Sequence, residues 1–301
     1  MNSRQRVTTA ATLVLISCLG GAAAFVDKLD RLRDDAALQE TLYVPSPTVL
    51  KRMSLGYTGL LADVYWTRVV QYFGGHHHEG AMEYKMLAPL LDITTTLDPN
   101  LVVAYEFGAV FLAQKPPEGA GDPDSAVRLV ERGIHDNPNA WRLYYQLGFI
   151  QYIERHDHKA AADAFERGSR VPGAHPWMKI MAATMAERGD DPNTAKMLWT
   201  NIYESSEDQQ IKANALKRLR AIKANEDIAY LEKMIAQYQQ RSGHTPQSWS
   251  EMIAAGLVRG VPVDPLGAPY RLLADGHVEV QHPEDFPFLK EGTPSGAQPS
   301  R

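Results

Sequence analysis

The sequence predicts an all-α chain, a stack of about four helical hairpins closed by a small C-terminal α+β cap that contains a β-hairpin. Three observations carry this. A set of residues recurs after 35 positions, since Ala126, Val130, Glu131, Arg132 and Gly133 return as Ala161, Phe165, Glu166, Arg167 and Gly168. Asp-Pro pairs at Asp122-Pro123 and Asp191-Pro192 supply a capping carboxylate and a proline at the first helical position, where its missing N–H costs nothing. Beyond Ala224 the pattern changes to one amphipathic segment, then turns rich in Gly and Pro, then two short runs of strand character.

The chain has 301 residues, 44% of them apolar, enough to fill a core and to exclude wholesale disorder. Lys and Arg total 31 against 36 Asp and Glu, a net charge of −5, so no global basic field exists to hold nucleic acid, and none is expected as a partner. The single cysteine, Cys18, excludes an internal disulfide framework and cysteine-rich metal centres.

The first element is a targeting segment, 1–26. Arg4 and Arg6 precede an uncharged run over 7–26 that ends at Asp27. Twenty residues at 1.5 Å each give about 30 Å, the thickness of a bilayer's hydrocarbon. Positive charge before the run and acidic residues after it predict the N-terminus inside and the bulk of the chain outside the cytoplasm. Three fates are open for this segment: an uncleaved anchor, cleavage after Ala22, Ala23 and Ala24, or lipidation at Cys18, where Leu15, Ile16, Ser17 and Cys18 resemble a bacterial lipoprotein box. Residues 27–53, interrupted by Pro45 and Pro47, form a membrane-proximal spacer.

Helical repeats follow over 54–224. The first pair is predicted at 54–73 and 81–97, split by a loop over 74–80 that carries His76, His77 and His78. Helices opening after Pro99, Pro138 and Pro176 alternate with the helices that carry Ala126, Ala161 and Ala195. Phe107-Gly108 and Leu147-Gly148 sit at equivalent places 40 residues apart, and Ala195 with Trp199 repeats the small-then-large pair. A small residue facing a large one, helix after helix, is what close antiparallel packing requires.

Residues 225–288 form the cap. Leu231, Met234, Ile235 and Tyr238 give a helix over 228–240 one apolar face. A short helix around Trp249 follows, then the hairpin, with strands at 270–273 and 277–280 about Ala274, Asp275 and Gly276. Gly, Pro, Ser and Gln dominate 289–301, the composition of a disordered tail.

Over about 54–204 the chain resembles the tetratricopeptide repeat, a helix–turn–helix unit of 34 residues. The matching positions are Phe107-Gly108 and Leu147-Gly148 in the first helices, Ala126, Ala161, Ala195, Phe165 and Trp199 in the second, and the terminal Pro99 and Pro138. Two departures stand out: Pro116-Pro117-Glu118-Gly119 lengthens one turn, and Ala186 stands where Gly is usual. The C-terminal part resembles the globular end of type II secretion pseudopilins, through the turn from Gly243 to Pro246 and the motif from Pro262 to Tyr270, with Leu266 in an aromatic's place.

The repeat resemblance implies a concave groove lined by first helices and filled by another protein or a peptide segment. Its positions fall here on Trp66, Tyr105, Tyr145, Phe149, Tyr152 and Trp177, with Arg68 and Arg142 nearby. Tyr, Trp and Arg are the residue types that dominate binding hot spots. The expectation is a membrane-anchored TPR-like scaffold on the periplasmic side of a bacterial inner membrane. It would serve a secretion, pilus or envelope assembly system and have no enzymatic activity and no cofactor. The alternative is a metal- or cofactor-handling envelope protein that uses His76, His77, His78, His156 and His158. Three consecutive His in a Gly-flanked loop cannot all face one ion, which favours the scaffold. No nucleophile elbow, phosphate loop or His-Glu-x-x-His pattern occurs.

Overall fold

The structure, a computed structural model, describes Gly20 and residues 46–290, so Cys18, most of the targeting segment and the tail from 291 lie outside the described residues. Among the described residues the chain is mostly helical, with eleven α-helices and one two-stranded sheet. None of these helices is long and apolar enough to cross a membrane. The chain divides into two compact units, Met1–Asp98 and Pro99–Arg301, where the sequence placed one repeat domain over 54–224 and a separate cap over 225–288.

The first unit contains α1 (Pro47–Met53), α2 (Thr58–His78) and α3 (Leu87–Leu97). Helix α2 buries Ala62, Tyr65 and Val69, spaced three and four apart, and both α1 and α2 pack on α3. Two threonines in the buried face of α3, Thr94 and Thr95, donate their hydroxyls back to the carbonyls of Leu90 and Leu91 at 2.8 Å, which removes the cost of burying them. The loop expected over 74–80 is instead helical as far as His78. Glycine costs a helix only about 1 kcal/mol, and here Gly74 and Gly75 lie in a turn held by stacking. The His76 ring lies 4.1 Å from Tyr72 and 5.8 Å from Tyr84, and His77 stacks on Phe73.

The second unit opens with α4 (Val102–Ala113), α5 (Pro123–Asp136) and α6 (Trp141–Phe149), the last continued by a π-helical turn over Ile150–Glu154. It continues with α7 (His158–Ser169), α8 (Trp177–Arg188), α9 (Pro192–Ser205) and α10 (Gln209–Ser242). Each helix packs on the next, and α4 also meets α6. The helices opening at Pro123 and Pro192 start where the sequence placed them, and α7 opens in the same way at Asp157. Asp122, Asp157 and Asp191 accept hydrogen bonds from the N–H groups of Ser125, Ala160 and Thr194, and Pro123 and Pro192 occupy the first helical positions.

The 35-residue recurrence has a packing cause. Ala126, Ala161 and Ala195 are fully buried. Gly133 lies beneath the ring of Tyr105, and Gly168 lies against Tyr144 in the corresponding place of the next pair. A Cβ added at Gly133 would sit 2.8 Å from the Tyr105 ring, and one at Gly168 would sit 2.6 Å from Tyr144 Cβ. Gly148 accommodates Phe165 in the same manner, at 2.7 Å. These contacts bring the helix axes closer than any larger side chain would permit.

Helix α10 runs unbroken through the boundary expected at 224/225. Its first half packs on α9, and its Arg218 lies 4.9 Å from the Trp199 ring of α9 and pairs with Glu187 of α8. Burial raises the Glu187 pKa, an effect opposed by the Arg218 charge and by the Trp199 N–H. Its second half contributes Ala224, Ile228, Leu231 and Ile235 to an apolar cluster with Trp249 and Met252 of α11 (Trp249–Ala254), and with Tyr270, Val278, Val280 and Phe286. The hairpin forms as expected but shorter. Strand β1 (Arg271–Leu272) pairs antiparallel with β2 (Val278–Glu279), Arg271 opposite Glu279 and Leu272 opposite Val278. Gly243, at φ 77°, adopts the left-handed conformation that ends α10. Trp249 Nε1 donates to the Tyr270 carbonyl at 2.8 Å, which pins α11 to the hairpin.

Candidate interaction surface

On α6, Trp141, Tyr145 and Phe149 recur every fourth residue and so form one row. Phe165 of α7 and Trp177, the first residue of α8, meet that row. Tyr145 and Phe149 are 4.7 Å apart, Trp177 stacks on Phe149 at 6.0 Å and lies 6.1 Å from Tyr145, and Phe149 meets Phe165 edge-on at 5.3 Å. Trp141 completes the row edge-on to Tyr145 at 6.3 Å. The cluster has a depth gradient. Phe165 is fully buried and forms its floor, Trp141, Tyr145 and Phe149 are half-buried, and Trp177 is 36% exposed.

Charge borders the rings. The Arg142 guanidinium lies 4.9 Å over the Trp141 ring, and its own side chain is exposed. Across from it on α4, burial holds the Glu106 carboxyl above the ordinary carboxylate value, an effect that the Arg142 charge partly opposes. Phe107, next to Glu106, is 51% exposed and lies 6.4 Å from Phe111. Chemically the surface offers stacking faces, one cation and one reluctant carboxylate, an arrangement suited to binding.

Of the residues named from sequence, Tyr145, Phe149 and Trp177 come together, with Arg142 at their edge. Tyr152 lies within the π-helical turn, where its hydroxyl bonds Arg188 and that guanidinium sits 5.2 Å over its ring, so it ties the end of α6 to α8. Tyr105 is a correction. It is fully buried over Gly133 and donates its hydroxyl to Asp136 at 3.2 Å, so it offers nothing to a partner. Trp66 and Arg68 belong to α2 in the first unit, where Arg68 lies 5.5 Å over Tyr65. Trp141 and Phe165 were missed as members of the cluster. The signal for Trp141 was present, since 141, 145 and 149 share one helical stripe.

The histidines are placed separately. His76, His77 and His78 form the last turn of α2, His156 holds a turn at φ 54°, and His158 opens α7 with its ring 5.7 Å from Tyr152. Among the described residues no three His, Cys, Asp or Glu side chains converge as a metal ion requires. No family model matches this chain, and neither a curated protein nor a solved structure matches it.

Proposed function

We propose that the chain is a membrane-tethered, extracytoplasmic scaffold that binds another protein, built as a tetratricopeptide-like stack of hairpins with a small pseudopilin-like cap and acting by recognition alone. The observation that carries this reading is the cluster of half-buried Trp141, Tyr145 and Phe149 with the exposed Trp177, Arg142 at its border and the buried Phe165 as its floor. Rigid aromatic rings backed by a buried floor lose little entropy on binding, and Tyr, Trp and Arg are enriched among residues that dominate interface energies. The tether rests on the sequence of 1–26, the stack on the repeated Tyr-over-Gly contacts at Gly133 and Gly168. A place in a secretion, pilus or envelope assembly system rests on the pseudopilin resemblance alone.

The experiment is a comparison of partners crosslinked to the full chain in its own membranes. The combined change Arg142→Ala, Tyr145→Ala and Trp177→Ala removes an anchor of about 2 kcal/mol or more, a loss of affinity of about thirtyfold. One crosslinked partner should disappear from this variant and persist with Met197→Ala, an exposed position on α9. Retention of every partner by a folded triple variant overturns the reading.

A further inference from the structure

The first unit presents an apolar edge that its own core does not use. Val49 and Met53 on α1, Leu55 in the connecting turn, and Tyr57, Leu60 and Val64 at the start of α2 are all exposed, Leu55 by 86%. The arrangement is directional. Leu60 and Val64 lie on the side of α2 opposite the buried Ala62, Tyr65 and Val69, and the same side continues with the polar Thr67 and Gln71. On that side apolar exposure is confined to the beginning of the helix, while the one further exposed apolar residue of α2, Val70, lies about a quarter turn away from it. From Tyr57 to Val64 the axis rises about 10 Å, close to the depth at which amphipathic segments sit in a bilayer interface. Leu55 holds φ 50° beside Gly56 at φ 94° in the turn that joins α1 to α2.

Charge and chain direction name the occupant. Lys51 and Arg52 are exposed within this edge, no acidic residue occurs from 46 to 62, and one exposed carboxylate, Asp63, stands beside Val64 at its far end, leaving a net positive charge over 46–64. Exposed apolar groups flanked by two cations match an anionic lipid surface, where headgroup phosphates pair with the cations and the acyl boundary takes the apolar side chains. The edge is also the part of the described chain nearest in sequence to the apolar run over 7–26, only some twenty residues before it. We propose that the first unit rests on the membrane through Met53, Leu55, Tyr57, Leu60 and Val64, so that the chain meets the bilayer twice, once through its N-terminal segment and once through this edge. The inference rests on the tethered reading above.

The test uses the full chain in vesicles of phosphatidylethanolamine and radiolabelled phosphatidylglycerol, with a benzophenone amino acid placed at Leu55 or, as reference, at Met197. Illumination should give at least about fivefold more lipid adduct at position 55, as expected for a side chain at interfacial depth. Adding Leu60→Glu and Val64→Glu should reduce that yield to the reference value. If the protein sediments with vesicles but position 55 yields no more lipid adduct than position 197, the second contact is overturned and the tether stands. A chain-to-chain adduct at 55 overturns it in favour of a second copy. If the protein does not sediment with vesicles, the tether fails and this inference fails with it.

Discussion

Gly168→Ala probes the closest helix approach in the second unit. The added Cβ would lie 2.6 Å from Tyr144 Cβ, 3.3 Å from Tyr144 Cγ and in collision with Met178 Cε. Carbon atoms prefer about 3.5–4.0 Å, so α6 and α7 must separate by about 1 Å. Met178 can move its terminal methyl, but Tyr144 Cβ is fixed to the helix backbone and cannot. Overpacking of this kind costs about 1–3 kcal/mol, and a collision with two neighbours belongs at the upper end. Against that, alanine favours a helix over glycine by about 1 kcal/mol. The net expectation is a loss of about 2 kcal/mol, or about 4–8 °C in the melting temperature of a unit this size. Gly74→Ala in α2 is the counterpart. Nothing lies within 4 Å of its added Cβ, so only the favourable propensity change remains and its own unit should be stabilised by up to about 1 kcal/mol. Thermal unfolding followed by circular dichroism reads both. Met178→Ala should couple with Gly168→Ala by about 1 kcal/mol in a double-mutant cycle, since it clears one of the two obstructions. A neutral or stabilising Gly168→Ala would refute the packing register.

Two further outcomes follow from the C-terminal cluster. Trp249→Phe keeps an aromatic ring but leaves the Tyr270 carbonyl without its donor, so the urea midpoint should fall by an amount equivalent to about 1–3 kcal/mol. His277 is held above its ordinary pKa by a hydrogen bond to Glu232 and then by that carboxylate's charge. A raised histidine stabilises fully below about 6.5 and loses that contribution as pH rises through the folded value. Melting temperatures should therefore decline slightly just above that pH, and His277→Gln should abolish this part of the decline.

The sequence expressed its packing rules more clearly than its interruptions. Ala126, Ala161, Gly133 and Gly168 were visible because a close helix approach admits only one kind of side chain. Asp122-Pro123 and Asp191-Pro192 were visible because a helix start has distinct hydrogen-bond chemistry. The π-helical turn at 150–154 has no such marker, since it involves neither glycine nor proline, and Tyr152 was consequently placed with Tyr145. The boundary at 224/225 reflected a real change, but one in what covers the helix. Ala215 and Ala221 give way to Ile228 and Leu231 as buried residues with no break in the backbone. Tyr105 was misplaced because helical spacing identifies a row without telling which row faces inward. Its small counterpart, Gly133, held that information.

The length of α10 has a bearing on how the second unit comes apart. At 34 residues it spans about 50 Å, and its two halves are covered by different neighbours. Were α11 and the hairpin to melt alone, the half carrying Ile228, Leu231 and Ile235 would be left with its apolar face uncovered, and the packing of that face supplies most of a helix's stability. Loss of either covering thus undermines the helix on which the other depends. The hairpins and the C-terminal segment share a fate in denaturation, and a protease cut within α10 would disable both.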